Sequence, residues 1–170
     1  MSLLKPPHQQ KTSPSKKKET EKKNRTQLTP IPDIKGGKGP IENMFINPDT
    51  AVPKPTSTQA LVKVKAFGLN RMDLLQREGL YPLPPQAPET MGVEFSGTIE
   101  ELGGSGGGEE GFKKGDEVFG LAYGGAYAEY IAVSTHMLVK KPQELSWEEA
   151  AGIPEVSTWP VYLSTYLDWS

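Results

Sequence analysis

The chain has 170 residues, of which 35% are hydrophobic, and a formal net charge of −2. The absence of cysteine excludes disulfides and thiolate metal sites. The sequence has no apolar leader segment and no run of about 18 apolar residues, the length that spans a bilayer, so we expect a cytoplasmic protein.

Residues 1–30 are predicted to form a disordered basic tail. They hold eight Lys or Arg against two Glu and have few aliphatic side chains, so ordering them would bury too little apolar surface to offset the lost entropy. The lysine-rich run 16–25 is interrupted by two acids and contains no aromatic residue, which favours a solvated tail over nucleic-acid binding. Nuclear targeting is the alternative interpretation of this run.

A first strand at 29–34 is predicted to be shortened or lost. Pro30 and Pro32 lie in this segment, and each proline removes one N–H that a sheet ladder would use. The segment 35–39 that follows is rich in glycine and is interpreted as a turn, because it lacks the Ser or Thr that follows Gly-Lys in a phosphate-binding loop.

The rest of the sequence predicts a mainly β fold with short helices. Short apolar runs alternate with turn residues, as is typical of strands, and in the clearest run Val62 and Val64 alternate with Lys63 and Lys65. Strands are predicted at 41–46, 60–67, 94–102, 117–122, 126–133 and 137–140. Strands of this length and spacing suit a partly open β-barrel.

Two short helices are predicted from their end signals. The first covers 71–77, with Asn70 as N-cap and Gly79 closing its C-terminus. The second begins at Ser146, which forms a Ser-x-x-Glu capping box with Glu149. The proline-rich segment 81–85 between the first helix and the next strand is predicted to be an extended loop.

Neither a dinucleotide fingerprint nor a metal site is predicted. The segment 106–111 matches G-x-G-x-x-G, but a turn into a strand follows it instead of a helix, and Glu109 and Glu110 would repel phosphate, so we interpret it as a flexible hairpin loop. His8 and His136 are too few and too far apart to indicate a metal site, and His136 is interpreted as a plain strand residue.

Five motifs in a fixed order resemble one protein family. They are Phe67-Gly-Leu-Asn-Arg-Met-Asp, Met91-Gly-Val-Glu-Phe-Ser-Gly, Gly115-Asp-Glu-Val, Gly124-Gly-Ala-Tyr-Ala-Glu-Tyr and Leu145-Ser-Trp-Glu-Glu-Ala-Ala-Gly-Ile-Pro-Glu. Together they resemble the catalytic domain of the medium-chain dehydrogenase/reductase superfamily, in its quinone-oxidoreductase branch of zeta-crystallin and p53-inducible type. The resemblance implies a GroES-like, partly open β-barrel over 34–155, with the Rossmann domain of the family missing.

The resemblance also implies chemistry without zinc. Zinc-dependent members of the family have a Cys and a His as metal ligands at two of these motifs, and Asn70 and Val93 stand in their places here. The resemblance therefore implies NADPH as the hydride donor, a quinone or related enone as the acceptor, and no metal.

Three residues are candidate site residues by resemblance. Asn70 and Asp73 would bind the cofactor beside its nicotinamide ribose, and Tyr81 would be catalytic by donating a hydrogen bond to the quinone oxygen. Each has a structural alternative, in which Asn70 serves only as a helix cap, Asp73 accepts only first-turn N–H groups, and Tyr81 packs only against the proline-rich loop.

Residues 156–170 have no counterpart in the family and are predicted to form a C-terminal tail. Because the family's cofactor domain, which also mediates its usual homo-oligomerisation, is missing, we expect the chain by itself to bind NADPH poorly and to be inactive. The sequence leaves two alternatives open, a non-enzymatic barrel module and the inert product of a truncated gene model.

Overall fold

The computed structural model describes residues 28–34, with their backbone only, 38–104 and 111–155. Residues 1–27 of the predicted N-terminal tail lie outside the described residues. The whole predicted C-terminal tail, 156–170, also lies outside them. So do most of the glycine-rich segments 35–39 and 106–111.

Seven strands and two short α-helices form most of the described part of the chain, and the helical residues 154–155 follow at its end. The strands and α-helices are β1 (Leu28–Ile34), β2 (Met44–Ala51), β3 (Gln59–Phe67), α1 (Arg71–Glu78), β4 (Glu94–Leu102), β5 (Glu117–Leu121), β6 (Tyr130–Ser134), β7 (Leu138–Lys140) and α2 (Trp147–Ala151). Two 3-10 turns, Ile41–Asn43 and Thr135–Met137, precede β2 and β7. The predicted mainly β fold with short helices is confirmed.

The strands form two antiparallel sheets. β1 pairs with β2, and the other five strands form one sheet in the order β6-β3-β4-β5-β7. In the described part of the chain no ladder joins the edge strands β6 and β7; the turn Thr135–Met137 connects them, so the barrel is partly open. Its centre is a cluster of buried apolar side chains from all five strands, among them Val62, Phe95, Val118, Ile131 and Leu138.

In strand β3, buried and exposed side chains follow the alternation of apolar and charged residues in the sequence. Val62 is fully buried in the core while its neighbour Lys63 is exposed, as the alternation predicts. Opposite β3 in the ladder, Gly97 of β4 lies so close that a Cβ atom there would overlap the Lys63 carbonyl oxygen. The tight contact between β3 and β4 therefore depends on glycine at this position.

Helix α1 forms where its end signals predict it. Asn70 is the N-cap, and Gly79 adopts the left-handed conformation at φ 76°, which glycine tolerates without steric cost. The N–H groups of Gly79 and Leu80 donate to carbonyls of the last turn, those of Gln76 and Leu75. The helix ends one residue later than predicted.

The prediction of a shortened or lost first strand is wrong. β1 is seven residues long and pairs with β2, and its first residues fall inside the predicted tail 1–30. Pro30 and Pro32 are tolerated because β1 pairs on one side only in the described part of the chain, and because its register shifts between Thr29 and Ile31.

Two other predicted strands begin several residues later than expected, and the strand predicted at 137–140 begins one residue later, at Leu138. The segment 41–46 opens with the turn Ile41–Asn43, in which the Asn43 N–H donates to the Pro40 carbonyl. In 126–133 the strand starts only at Tyr130, because the N–H groups of Ala126 and Tyr127 bind carbonyls of the segment before β4.

His136 lies in the second 3-10 turn and not in a strand. Neither described α-helix has the length and hydropathy that crossing a bilayer requires.

Candidate functional site

The N-terminal end of α1 meets the start of β4 at Asn70. The backbone N–H of Asn70 donates to Asp73 Oδ2 at 2.8 Å, and its side-chain Nδ2 donates to Glu94 Oε1 at 2.9 Å. Asn70 is thus held through both its backbone and its side chain by two carboxylates. The predicted cap position is confirmed, and the same residue also makes a long-range bond to a strand.

Asp73 accepts three hydrogen bonds in the protein interior. Besides the Asn70 N–H, its carboxylate accepts from the Gly92 N–H at 3.2 Å and from the Tyr127 hydroxyl at 2.7 Å. Its side chain is almost wholly buried, with 4% of the residue exposed. A carboxylate has about four acceptor sites, so Asp73 is largely committed to joining α1 to the segments before β4 and β6.

Tyr127 lies against this carboxylate and against an aromatic neighbour. Burial, and then the hydrogen bond to Asp73, raise the pKa of Tyr127 well above its ordinary value. The rings of Tyr127 and Phe67 have their centroids 4.6 Å apart. A Cβ atom at Gly92 would overlap the Tyr127 ring, so the glycine of the Met91-Gly92-Val93 motif makes room for it.

Glu94 is the second buried carboxylate of the site, with 3% of the residue exposed. Its Oε2 accepts from the Glu155 N–H at 2.9 Å. Burial, then the charges of Glu94 and Asp73, raise the pKa of Glu155 above its ordinary value. Gly68 admits the Glu94 side chain, because a Cβ atom there would overlap the carboxylate.

A cleft of about 470 Å³ opens beside these groups. Its walls are mostly apolar, and the few polar groups belong to α1 and its cap. The lining residues are Ile41, Met44, Leu69, Asn70, Arg71, Asp73, Leu74, Arg77, Met91 and Tyr127. Leu69 and Leu74 are 79% and 58% exposed, so this cleft continues into an apolar surface.

Of the three predicted site residues, the structure brings two together. Asn70 and Asp73 both line the cleft, whereas Tyr81 is half-buried in the loop after α1 and is not among the lining residues. A second cavity of about 450 Å³, between β2, the loop 86–90 and β6, contains none of the three. The catalytic role of Tyr81 stays a prediction.

Sequence reasoning missed Tyr127 and undervalued Glu94. The apolar pattern puts Tyr127 in a strand, although it follows two glycines that permit a tight turn. Glu94 is not among the predicted site residues, although a glutamate between Val93 and Phe95 at the start of an apolar strand indicates a buried carboxylate that needs donors.

The residues at the family's metal positions do not fit zinc. Val93 is buried and offers no ligand atom, and the Asn70 amide is bound to Glu94. Within 28–34, 38–104 and 111–155, no group of three or more His, Cys, Asp or Glu could hold a metal ion. A nicotinamide cofactor fits better, because the cleft is apolar and has Asn70 and the exposed Arg71 among its lining residues.

The family pattern described as "Alcohol dehydrogenase GroES-like domain" matches residues 56–143. The "Quinone oxidoreductase" of Pongo abelii is 40% identical to this chain over 116 residues, which are 68% of this chain and 34% of that protein. The chain thus spans about a third of the length of this curated relative.

Two solved structures share the fold. The human synaptic vesicle membrane protein VAT-1 homolog-like protein superposes with a TM-score of 0.70 and 28% identity, over 82% of this chain and 43% of that one. The Escherichia coli quinone oxidoreductase complexed with NADPH superposes with a TM-score of 0.66 and 26% identity, over 84% and 41% respectively.

Proposed function

The chain belongs to the alcohol dehydrogenase GroES-like domain family, and from this premise we propose that it supplies the barrel half of a zinc-independent, NADPH-dependent reductase of quinones or related enones. The observation that carries the proposal is the apolar cleft at the N-terminal end of α1, where Asn70 and Asp73 lie side by side. The likeness to quinone oxidoreductases, one of them complexed with NADPH, supports the choice of reaction and cofactor.

The residues of the cleft would act by position more than by covalent chemistry. NADPH, when bound, supplies the hydride. Asn70, whose amide plane is fixed by Glu94, would contact the nicotinamide-ribose end. Asp73, with three internal donors, would keep α1 and Asn70 in place and contribute little direct contact.

The apolar walls suit a quinone or enone. Met44, Met91 and Leu74 would exclude water from the cleft and so strengthen each hydrogen bond made inside it. Charge that develops on the substrate oxygen needs a donor when no metal ion is present. We propose Tyr81 as this donor, on the strength of the family resemblance.

A chimera tests the proposal directly. Residues 28–155 would replace the corresponding domain of the Escherichia coli quinone oxidoreductase, and NADPH oxidation would be followed with a panel of para-quinones and enones. We expect turnover with quinones, and a matched chimera with Asn70→Leu should bind NADPH more weakly. A chimera that folds and binds NADPH but reduces none of these substrates would contradict the proposal and favour a non-enzymatic barrel module.

The 170-residue chain gives a second measurement. Because it spans only about a third of its curated relative, we expect weak binding in an NADPH titration and no turnover with any quinone. Micromolar affinity together with turnover from the purified chain would overturn this expectation.

A further inference from the structure

Strand β4 presents two buried polar side chains to the C-terminal part of the fold. Glu94 and Ser96 are two residues apart, so both lie on the same side of the strand. Ser96 Oγ donates to the Trp147 carbonyl at 2.6 Å, and Glu94 Oε2 accepts from the Glu155 N–H at 2.9 Å. Two side chains of one strand therefore hold α2 and the helical residues 154–155 that follow it.

Of these two side chains, Glu94 also binds a residue that lines the cleft. Its second oxygen, Oε1, accepts from Asn70 Nδ2 at 2.9 Å, so one carboxylate bridges the cap of α1 and the helical residue Glu155. The site is shaped for this group, because only glycine at position 68 leaves space for it. Among the ion pairs of the described residues none includes Glu94, so the two N–H donors are its stabilising partners there.

We propose that Glu94 is a positioning residue of the cleft, which orients the Asn70 amide for the nicotinamide end of the cofactor and couples that orientation to the helical residues 154–155. The proposal rests on the proposed function for the identity of the ligand. The bridge itself rests only on the three residues and their hydrogen bonds.

The role requires a carboxylate, because both partners are donors. Glutamine has one acceptor oxygen and one NH₂ group. In Glu94→Gln, the Asn70 amide must therefore turn over so that its oxygen accepts from the glutamine NH₂ group, or else Asn70 or the Glu155 N–H faces another donor. In either case the Asn70 amide loses the orientation that the carboxylate gives it or the bond to Glu155 is lost. If Asn70→Asp is added, the NH₂ group of the introduced glutamine can donate to the introduced aspartate, while the glutamine oxygen accepts from the Glu155 N–H. The double substitution reverses the bond between the two side chains and keeps the net charge.

A double-mutant cycle on the full 170-residue chain tests the bridge without any ligand. We expect Glu94→Gln and Asn70→Asp each to lower the midpoint of thermal unfolding by roughly 5–10 °C, since the first displaces or mismatches the Asn70 amide and the second places two carboxylates against each other. The double variant should recover more than half of that loss. The control is Glu101→Gln, an exposed glutamate of the same strand with the same change of charge, which should leave the midpoint unchanged. Additive losses in the double variant would overturn the proposal.

The positioning role of Glu94 is tested by NMR on the same chain. Reduced nicotinamide mononucleotide is the probe, because it is the part of the cofactor that this domain would face. We expect it to shift the side-chain amide signals of Asn70, and Glu94→Gln to weaken its binding about fivefold, the effect of one lost hydrogen bond. Glu101→Gln should bind like the unmodified chain.

The outcomes separate the two proposals. If the unmodified chain shows no shift with the mononucleotide and the chimera binds no NADPH, the proposed function fails, and the positioning role fails with it even where the cycle shows coupling. If only the chimera binds, Glu94→Gln in the chimera should raise its KM for NADPH about fivefold, and an unchanged KM refutes the positioning role. If the unmodified chain binds and Glu94→Gln binds equally well, only the positioning role is refuted.

Discussion

The carboxylate of Asp73 accepts hydrogen bonds from three donors, so we expect a substitution of Asp73 to lower the stability of the fold. Asparagine at this position keeps the shape but places an NH₂ group against at least one of the donors from Asn70, Gly92 and Tyr127. We expect Asp73→Asn to lower the free energy of unfolding by about 1.5–3 kcal/mol, the range for hydrogen bonds to a buried charge. Urea denaturation measures it, with the exposed Asp49→Asn as control. Equal stabilities of the two variants would contradict this role for Asp73.

Tyr81 is a second single residue whose role can be tested, although the structure does not place it in the cleft with Asn70. In the chimera described above, we expect Tyr81→Phe to reduce quinone turnover by about 2- to 12-fold, which corresponds to a loss of about 0.5–1.5 kcal/mol for one neutral hydrogen bond. The KM for NADPH should stay unchanged, because the lost bond serves the substrate. A raised KM with unchanged turnover would show that Tyr81 acts on the cofactor.

Glu149, in the first turn of α2, and Glu155, four residues after its end, should respond to pH in opposite directions. Burial and the charges of Glu94 and Asp73 raise the pKa of Glu155, so its contribution to stability is present below its ordinary value of 4.5 and is lost as the pH rises. Hydrogen bonds from Ser146 lower the pKa of Glu149, so its contribution is present above 4.5 and is lost as the pH falls.

Glutamine substitutions test these two opposite pH dependences of stability. We expect Glu155→Gln to raise the midpoint of thermal unfolding at neutral pH, and Glu149→Gln to lower it, since the latter loses the capping carboxylate. The Glu155→Gln difference should shrink as the pH falls through the raised pKa of Glu155 towards 4.5, and the Glu149→Gln difference should shrink as the pH falls below 4.5. Thermal scans across this range measure the effect, and parallel pH profiles of the two variants would contradict the assignment.

At the scale of elements, the contact between β3 and β4 depends on Gly97. A Cβ atom there would overlap the Lys63 carbonyl, which belongs to the backbone and has no rotamer by which to move away. We expect Gly97→Ala to cost about 1–3 kcal/mol, the usual cost of overpacking. In the control Gly152→Ala the nearest atom outside its chain neighbours, the Glu148 carbonyl oxygen, is 3.8 Å away and φ is −92°. Equal urea midpoints for the two variants would show that β4 can shift.

The elements also show which sequence signals carry structural information. The end signals of helix α1 predict it to within one residue, because Asn70 and Gly79 act on the backbone groups beside them. The prediction for β1 is wrong, because the cost of Pro30 and Pro32 depends on whether the strand needs donors on both sides. That is a property of sheet topology, and the local sequence does not contain it.

For the whole molecule we expect independence of metal ions. The chain has no cysteine, and Val93 and the Glu94-bound Asn70 occupy the family's ligand positions. A strong chelator should change neither the thermal midpoint of the chain nor the turnover of the chimera. Elemental analysis provides the check, since stoichiometric zinc in the purified protein would contradict the prediction.

The sequence by itself determined the family, the β-rich barrel, both helix caps and the neighbourhood of the cleft, because these depend on local patterns and on motif order. Only the tertiary structure decided what the site residues do. It placed Asp73 against Tyr127, which is 54 residues away in the chain, and Glu94 between Asn70 and Glu155. A buried carboxylate takes its role from the donors that surround it, and those donors come from segments that only the packed barrel brings together.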